Sequence, residues 1–222
     1  GTVTAIVGPS GSGKTTIARL ISRFWDVDSG AVMVDGVDIR ELGTEQLMSR
    51  LSMVFQDVYL FDDSLIANIR VGRPDASDEE VFRAADLSGV TSIANRLGWH
   101  TPVGEGGRLL SGGERQRVSV ARALLKQAPI VLFDEATSAL DAENEANILA
   151  AMDELREQST FIVIAHKLDT IKSADQIVVL DEHGQVSQLG THSELSDVPG
   201  IYRHFWQQRK AASGWKISSG RD

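Results

Sequence analysis

Cysteine is absent from this 222-residue chain, and proline is scarce at 5 residues. Without thiols there is no disulfide framework and no thiolate metal site, a composition that fits a reducing compartment. Basic residues are also in short supply: 22 Lys and Arg stand against 31 Asp and Glu, a formal net charge of −9. That balance argues against wholesale binding to nucleic acid or to an anionic membrane surface, both of which require clustered Lys and Arg. Long apolar runs are missing too. The longest unbroken ones, Ile130–Phe133 and Phe161–Ala165, fall far short of the roughly 20 residues a transmembrane helix needs. No basic stretch followed by an apolar one opens the chain, so no signal peptide is expected. What is left is expected to be a soluble, intracellular, globular module. Its length fits one large domain or two small lobes, enough to bury a core without staples.

Short apolar runs alternate with amphipathic stretches, the pattern of an α/β fold. Thr2–Val7 reads as a buried strand that runs into the Gly-rich turn Gly8–Gly13 and a helix from Lys14 to about Arg23. Ala31–Val34 is a strand ended by the turn Asp35-Gly36, and Leu51–Phe55 is another strand. Apolar residues three or four apart predict helices at Leu65–Ile69, Asp78–Leu87 and Val90–Arg96. Past a loop carrying Gly104, Gly106 and Gly107, a helix is predicted from near Ser111 to about Lys126, then a strand at Ile130–Phe133. A charged helix at Ala142–Glu157, a strand at Thr160–Ala165 and a hairpin of Gln176–Asp181 with Gln185–Leu189 follow. A last helix is expected at Gly200–Arg209, with Tyr202, Phe205 and Trp206 as a core-facing stripe, and Ser213–Asp222 is expected to fray. The first strand feeds the Gly-rich turn and must be central. A chain that opens two residues before it reads as a piece of a longer one.

Gly8-Pro9-Ser10-Gly11-Ser12-Gly13-Lys14-Thr15 fits the pattern G-x-x-x-x-G-K-[ST], with Thr16 next in the helix. The glycines let successive N–H groups point inward, and the helix that follows adds its positive end. Lys14 can reach the β- and γ-phosphates of a nucleotide, and the Thr15 hydroxyl can bind Mg²⁺. The alternative is a flexible Gly/Ser turn, which the strand before and helix after disfavour. A second half of the metal site is expected on a neighbouring strand. Ile130–Phe133 is apolar, and Asp134 emerges at the carboxyl end, where ligands of open α/β sheets bind. Asp134 can hold Mg²⁺ through its water shell, and Glu135 is placed to polarise an attacking water. Taken alone, such a strand is simply one leaving the core. The phosphate loop in the same chain favours the functional reading.

Leu110-Ser111-Gly112-Gly113-Glu114 precedes Arg115-Gln116-Arg117 at the start of a predicted helix. Ser111 is a good N-cap, the two glycines allow close backbone approach, and the helix dipole points outward, so this is a candidate second anion site. Ser-x-x-Glu is also a capping box, and Ser111 with Glu114 can simply start the helix.

These motifs, in this order and over almost the whole chain, resemble the nucleotide-binding domain of ATP-binding cassette (ABC) transporters. Gly8–Thr15 resembles the Walker A loop, Gln56 the Q-loop, Leu110–Glu114 the signature and Ile130–Glu135 Walker B. Ser138–Asp141 resembles the D-loop and His166 the switch histidine. On their own Gln56 would be a polar strand end and His166 a rim residue. Thr101–Gly107, Val54-Phe55-Gln56, Leu60-Phe61 and Asn68-Ile69 resemble the exporter-type branch.

The resemblance implies a P-loop NTPase (RecA-like) fold: an α/β core with a mostly parallel sheet, an inserted helical subdomain and a truncated N-terminal antiparallel β part. It places the ATPase core lobe at 1–56 and 105–210, the helical subdomain at 57–104 and a flexible tail at 211–222. It implies ATP and Mg²⁺ as ligands, with Thr15, Gln56 and Asp134 at the metal, Glu135 as general base and His166 and Lys14 on the γ-phosphate. Gly8 to Thr16, with Gln56, line the chain's own nucleotide. Ser111, Gly112, Gly113, Glu114 and Asp141 belong to a nucleotide shared head-to-tail with a second such domain.

The implied partners are therefore that second domain and transmembrane domains, not nucleic acid, at the cytoplasmic face of the cell membrane. Arg23–Asp28 resembles segments of bacterial siderophore-linked half-transporters, which implies an iron chelate as cargo. Two departures stand out. Glu114 occupies a position where Gln is usual, and its charge would repel a triphosphate unless it turns back to cap Ser111. The adenine-stacking aromatic lies upstream of Walker A in the family, so weaker base selectivity is expected here.

Other classes fit less well. A DNA-repair or chromosome ABC ATPase inserts long coiled coils, and Thr16–Leu109 has no sustained heptads. A switch that binds without hydrolysis has no need of Glu135 and His166. An importer subunit on a separate chain lacks the exporter-like Thr101–Gly107.

Overall fold

The computed structural model describes residues 1–55, 57–134, 146, 149–150, 152–153, 155–156, 158–164 and 168–218. The chain divides into two compact units. One is continuous, Met48–Phe161 with Gly1, and the other is discontinuous, Thr2–Leu47 with Ile162–Asp222.

The discontinuous unit opens with β1 (Val3–Val7), α1 (Lys14–Ile21), β2 (Met33–Val34), β3 (Val37–Asp38) and the first half of α2 (Thr44–Arg50). Val3, Ala5, Ile6 and Val7 are all buried, the run expected of a strand covered on both faces. β2 and β3 form a two-stranded antiparallel sheet whose turn, Asp35 (φ 52°) and Gly36 (φ 77°), has the positive dihedrals of a tight hairpin.

The continuous unit holds β4 (Leu51–Val54), α3 (Leu65–Arg70), α4 (Asp78–Leu87), α5 (Thr91–Leu97), α6 (Gly112–Lys126), β5 (Ile130–Asp134) and the start of β6 (Thr160–Ile164). Here the strand order is β4-β5-β6. β4 and β5 run parallel in the register Leu51↔Ile130 to Val54↔Phe133. The rings of Phe133 and Phe161 stack at 6.1 Å, both fully buried. Burying a side chain of this size contributes about 1.5–3 kcal/mol. α6 packs on α3, α4 and β4. Val118, Val120, Ala121, Leu124 and Leu125 are among the residues it buries.

β6 crosses into the discontinuous unit, which continues with α7 (Leu168–Lys172), β7 (Gln176–Leu180), β8 (Val186–Gly190), α8 (His192–Ser196) and α9 (Ile201–Ser218). Its strand order is β6-β1-β7-β8. β1 pairs parallel with β7 from Thr4↔Gln176 to Val7↔Val179, and β8 closes the edge antiparallel. Asp175 ties the two starts together: its carboxylate accepts from the Val3 N–H at 2.8 Å and its own N–H donates to the Val3 carbonyl at 2.9 Å. Ile6, Ala18, Ile164 and Leu180 meet in one buried cluster, which fixes α1 against the strand ahead of the Gly-rich turn.

The result is the expected α/β class with a mostly parallel sheet, the antiparallel pairs being β2–β3 and β7–β8. α9 differs from expectation. It stays helical through Ser218, past Arg209, where the sequence reading ended it. Its stripe behaves as read, with Tyr202 fully buried and Phe205 and Trp206 half-buried. The long helix expected at Ala142–Glu157 falls mostly outside the described residues.

Candidate nucleotide site

The turn between β1 and α1 is shaped by its small residues. Gly11 and Gly13 both lie at φ +83°, a region L side chains rarely adopt. A Cβ on Gly8 would come within 2.8 Å of Ser12 Oγ and 2.9 Å of the Leu180 carbonyl. The loop therefore closes on itself against the end of β7, with no room for a larger residue at its first position. No side chain caps α1, because Gly13 is its N-cap, and its first turn holds no acidic residue. The positive end of that helix is thus kept for an anion.

Lys14 and Ser12 are buried, 7% and 2% exposed. The Lys14 ammonium donates to the carbonyls of Gly8 at 3.1 Å and Pro9 at 2.6 Å and to Ser12 Oγ at 3.4 Å. These loop acceptors hold the cation inside the curl, where a phosphate oxygen can replace them. A curl of backbone, an ammonium and the Thr15 hydroxyl fit a nucleoside triphosphate with its divalent cation. The ammonium adds a positive charge on the side where the phosphates would lie.

Ser111 lies in the other unit, exposed at the N-cap of the 15-residue α6, with φ −64° and ψ 165°. Its hydroxyl accepts from the Glu114 N–H at 3.3 Å, and the Glu114 carboxylate accepts from the Ser111 N–H at 2.8 Å. The capping-box reading is therefore realised in full. It does not displace the anion-site reading, because it aims the Glu114 carboxylate back at the backbone. Arg96 of α5 then neutralises that carboxylate at 2.5 Å. Burial raises the Glu114 pKa, but the Ser111 N–H and Arg96 outweigh it and hold the carboxyl below its ordinary range. The condition on which this departure from Gln was expected to be harmless is met.

A depressed carboxyl stabilises the fold above its unfolded pKa, and that stability is lost as pH falls through the folded value. Glu114→Ala is expected to cost about 1 kcal/mol at neutral pH. Glu114→Gln keeps the acceptor and loses only an exposed ion pair, so it should cost under about 0.5 kcal/mol. The check is urea unfolding across pH. The gap between wild type and Glu114→Ala should narrow below the ordinary carboxyl range, and a gap constant with pH would contradict the ion-pair account.

Asp134, 5% exposed, is the last residue of β5, at the carboxyl end as expected. Gln56 follows β4 by two residues and His166 follows β6 by two. Gln56, Glu135, Asp141 and His166 lie outside the described residues. The phosphate loop belongs to the discontinuous unit, while Ser111–Glu114 and Asp134 belong to the continuous one. The segment Arg23–Asp28 is irregular, a turn at Arg23 followed by bends. Arg23, at φ 54°, reaches the carbonyls of Ile39 and Leu42 at 3.0 Å each and leaves Phe24 and Trp25 exposed. No cluster of metal-ligating side chains forms among the described residues.

Sequence reasoning missed Arg96. Its place in another helix, 18 residues before Glu114, leaves no local signal.

Residues 1–138 match the family model described as ABC transporter. An ATP-dependent lipid A-core flippase of Legionella pneumophila (strain Paris) is 48% identical over 93% of this chain and 35% of its own length. The mycobactin import ATP-binding/permease protein IrtB of Mycolicibacterium thermoresistibile is 48% identical over 99% of the chain and 38% of its own length. The mitochondrial iron-sulfur clusters transporter ATM1 of Yarrowia lipolytica is 46% identical over 95% of the chain and 30% of its own. A solved bacterial Atm1-family ABC exporter with ATP bound superposes with a TM-score of 0.90 at 45% identity, over 94% of this chain and 37% of that one. The chain thus spans about a third of the length of these relatives. With the phosphate loop, the signature-like cap and the strand ending in Asp134 all in family order, this chain belongs to the ABC transporter family, in its exporter-type branch.

Proposed function

We propose that this chain binds and hydrolyses ATP as the nucleotide-binding domain of a membrane transporter, and that it does so in a head-to-tail pair. The observation that supports the reading is that the chain carries two candidate anion sites of different make. One is a buried curl around Lys14, and the other is an exposed helix start at Ser111 whose acidic neighbour is turned away. Both cannot easily serve one nucleotide from one chain. In the pair, each ATP is gripped by Gly8 to Thr16 of one protomer and by Ser111, Gly112 and Gly113 of the other, with Asp141 at the shared boundary and Glu114 holding Ser111 in place.

Thr15, Gln56 and Asp134 would hold Mg²⁺, which when bound neutralises charge on the β- and γ-oxygens. Lys14 and His166 meet the γ-phosphate from one side, and the partner's helix dipole meets it from the other. Glu135 takes the proton of the attacking water. Loss of the γ-phosphate removes the charge that both halves grip, so the pair opens. Such a cycle is a rigid-body switch driven by phosphate contacts.

The work would be delivered to membrane-spanning domains, placing this domain at the cytoplasmic face of the membrane. The likeness of Arg23–Asp28 to siderophore-linked half-transporters supports a siderophore or iron chelate as cargo, and two of the relatives are named for iron-sulfur clusters and for mycobactin import. The test is assembly. Mg²⁺ and ATP should convert the Glu135→Gln protein to a nucleotide-bound closed pair, and ATP binding without closure would overturn the reading.

A further inference from the structure

One hairpin, β7–β8, backs the phosphate loop at both of its ends. At Gly8 an added Cβ would meet the Leu180 carbonyl at 2.9 Å and the Leu180 Cβ at 3.2 Å, both at the end of β7. At Ser12 the contact comes from the turn that joins β7 to β8. A Cβ on Gly184, which lies at φ +77°, would stand 3.2 Å from the Ser12 carbonyl.

That turn is stiff. Asp181 Oδ1 accepts from the N–H groups of His183 at 2.8 Å and Gln185 at 2.9 Å. The Gly184 N–H donates to the Asp181 carbonyl at 3.2 Å, and the Asp181 N–H donates to the Gln185 carbonyl at 2.9 Å. Yet Glu182, His183, Gly184 and Gln185 are all exposed, so the contact with Ser12 serves no hydrophobic core. Ser12 itself stands between Gly11 and Gly13, where an added Cβ would meet nothing within 4 Å. Those two glycines leave the peptides on either side of Ser12 free to turn. Across a trans peptide the Ser12 carbonyl and the Gly13 N–H share one plane and point opposite ways. Whatever fixes the carbonyl therefore aims the N–H, one of the amides the curl offers to a phosphate.

We infer that Gly184 is a positioning residue for the nucleotide. Having no side chain, it lets the turn Asp181–Gln185 rest against the Ser12 carbonyl and so sets the direction of the Gly13 N–H. The inference rests on the reading that Gly8 to Thr16 hold ATP. A side chain at 184 pushes on that carbonyl. The turn, tied by the Asp181 carboxylate, does not retreat, so the peptide between Ser12 and Gly13 rotates instead.

The experiment uses the full-length protein. Gly184→Ala adds a Cβ at positive φ, and Gly184→Asn adds the same Cβ on a residue that tolerates that φ. Gly36→Ala is the control, because Gly36 also lies at φ +77° but a Cβ there meets nothing within 4 Å. Calorimetry with Mg²⁺ and a non-hydrolysable ATP analogue reads the Kd, and thermal unfolding reads the fold. Both variants at 184 should raise the Kd about tenfold, near the loss of one amide donor to a charged oxygen. Gly36→Ala should keep the Kd within about twofold of the parent while losing as much melting temperature as Gly184→Ala. A parental Kd in both variants at 184 overturns the brace and leaves the ATP reading standing. A rise in Gly184→Ala alone traces to backbone strain, and an equal rise in Gly36→Ala to general loss of stability; either overturns the brace. A folded parent that binds no analogue overturns the ATP reading together with it.

Discussion

Lys14→Ala is expected to weaken ATP binding by roughly thirty-fold to several thousand-fold, the equivalent of about 2–5 kcal/mol for truncating one member of a buried, hydrogen-bonded charge pair. The size follows from where the ammonium sits. It is 7% exposed and held by the carbonyls of Gly8 and Pro9 and by Ser12 Oγ. Its desolvation is therefore already met by the folded loop, and a triphosphate finds the charge pre-positioned. Folding should survive, because the loop shape comes from Gly8, Gly11 and Gly13 and from the packing of Ala18 on β1. Isothermal calorimetry on the variant, with thermal unfolding as control, decides the matter. Unchanged affinity would remove Lys14 from the phosphate site.

Glu135→Gln should do the opposite: binding is kept and turnover collapses. A positioned general base contributes about 10²- to 10⁴-fold, so phosphate release should fall by a factor in that range. The amide cannot take the water's proton, while the γ-phosphate, still present, keeps both halves gripped. The trapped pair should be visible by sedimentation with Mg²⁺ and ATP, and should disperse when ADP replaces ATP. Hydrolysis at the parental rate would show that the base lies elsewhere. The two variants separate the steps, since Lys14→Ala should assemble only at correspondingly higher ATP and Glu135→Gln should fail to come apart.

How much of this was legible before the structure depends on how local each signal is. The phosphate loop is written in eight consecutive residues, and the strand before and helix after it have apolar patterns long enough to read. α4 begins where Ser77 and Glu80 form a capping box, and its limits agree with the sequence reading residue for residue. The Asp35-Gly36 turn likewise demands its positive dihedrals. By contrast α2, α7 and α8 span seven, five and five residues. Periodicity has no room to show in so few, and of α2 only Leu47 is buried.

The signature offered two readings, cap or anion site; the cap forms, and the ion pair of its Glu114 with Arg96 on another helix has no local signal. The same holds for Arg122. Its partners Tyr59 and Asn68 are 63 and 54 residues away, so only tertiary structure shows that an apparent surface arginine holds a loop. The end of α9 was missed for a different reason. The sequence past Arg209 has too little apolar content to announce a helix, and the helix continues to Ser218 regardless.

One photochemical measurement bears most directly on all of this. The full-length protein is incubated with Mg²⁺ and an ATP analogue bearing a photoreactive group on the γ-phosphate, and the modified peptides are sequenced. Two peptides should carry the label, the one around Lys14 and the one around Ser111, with the second signal disappearing when assembly is prevented. Label confined to the first peptide under every condition that supports turnover would mean that no nucleotide is shared between copies.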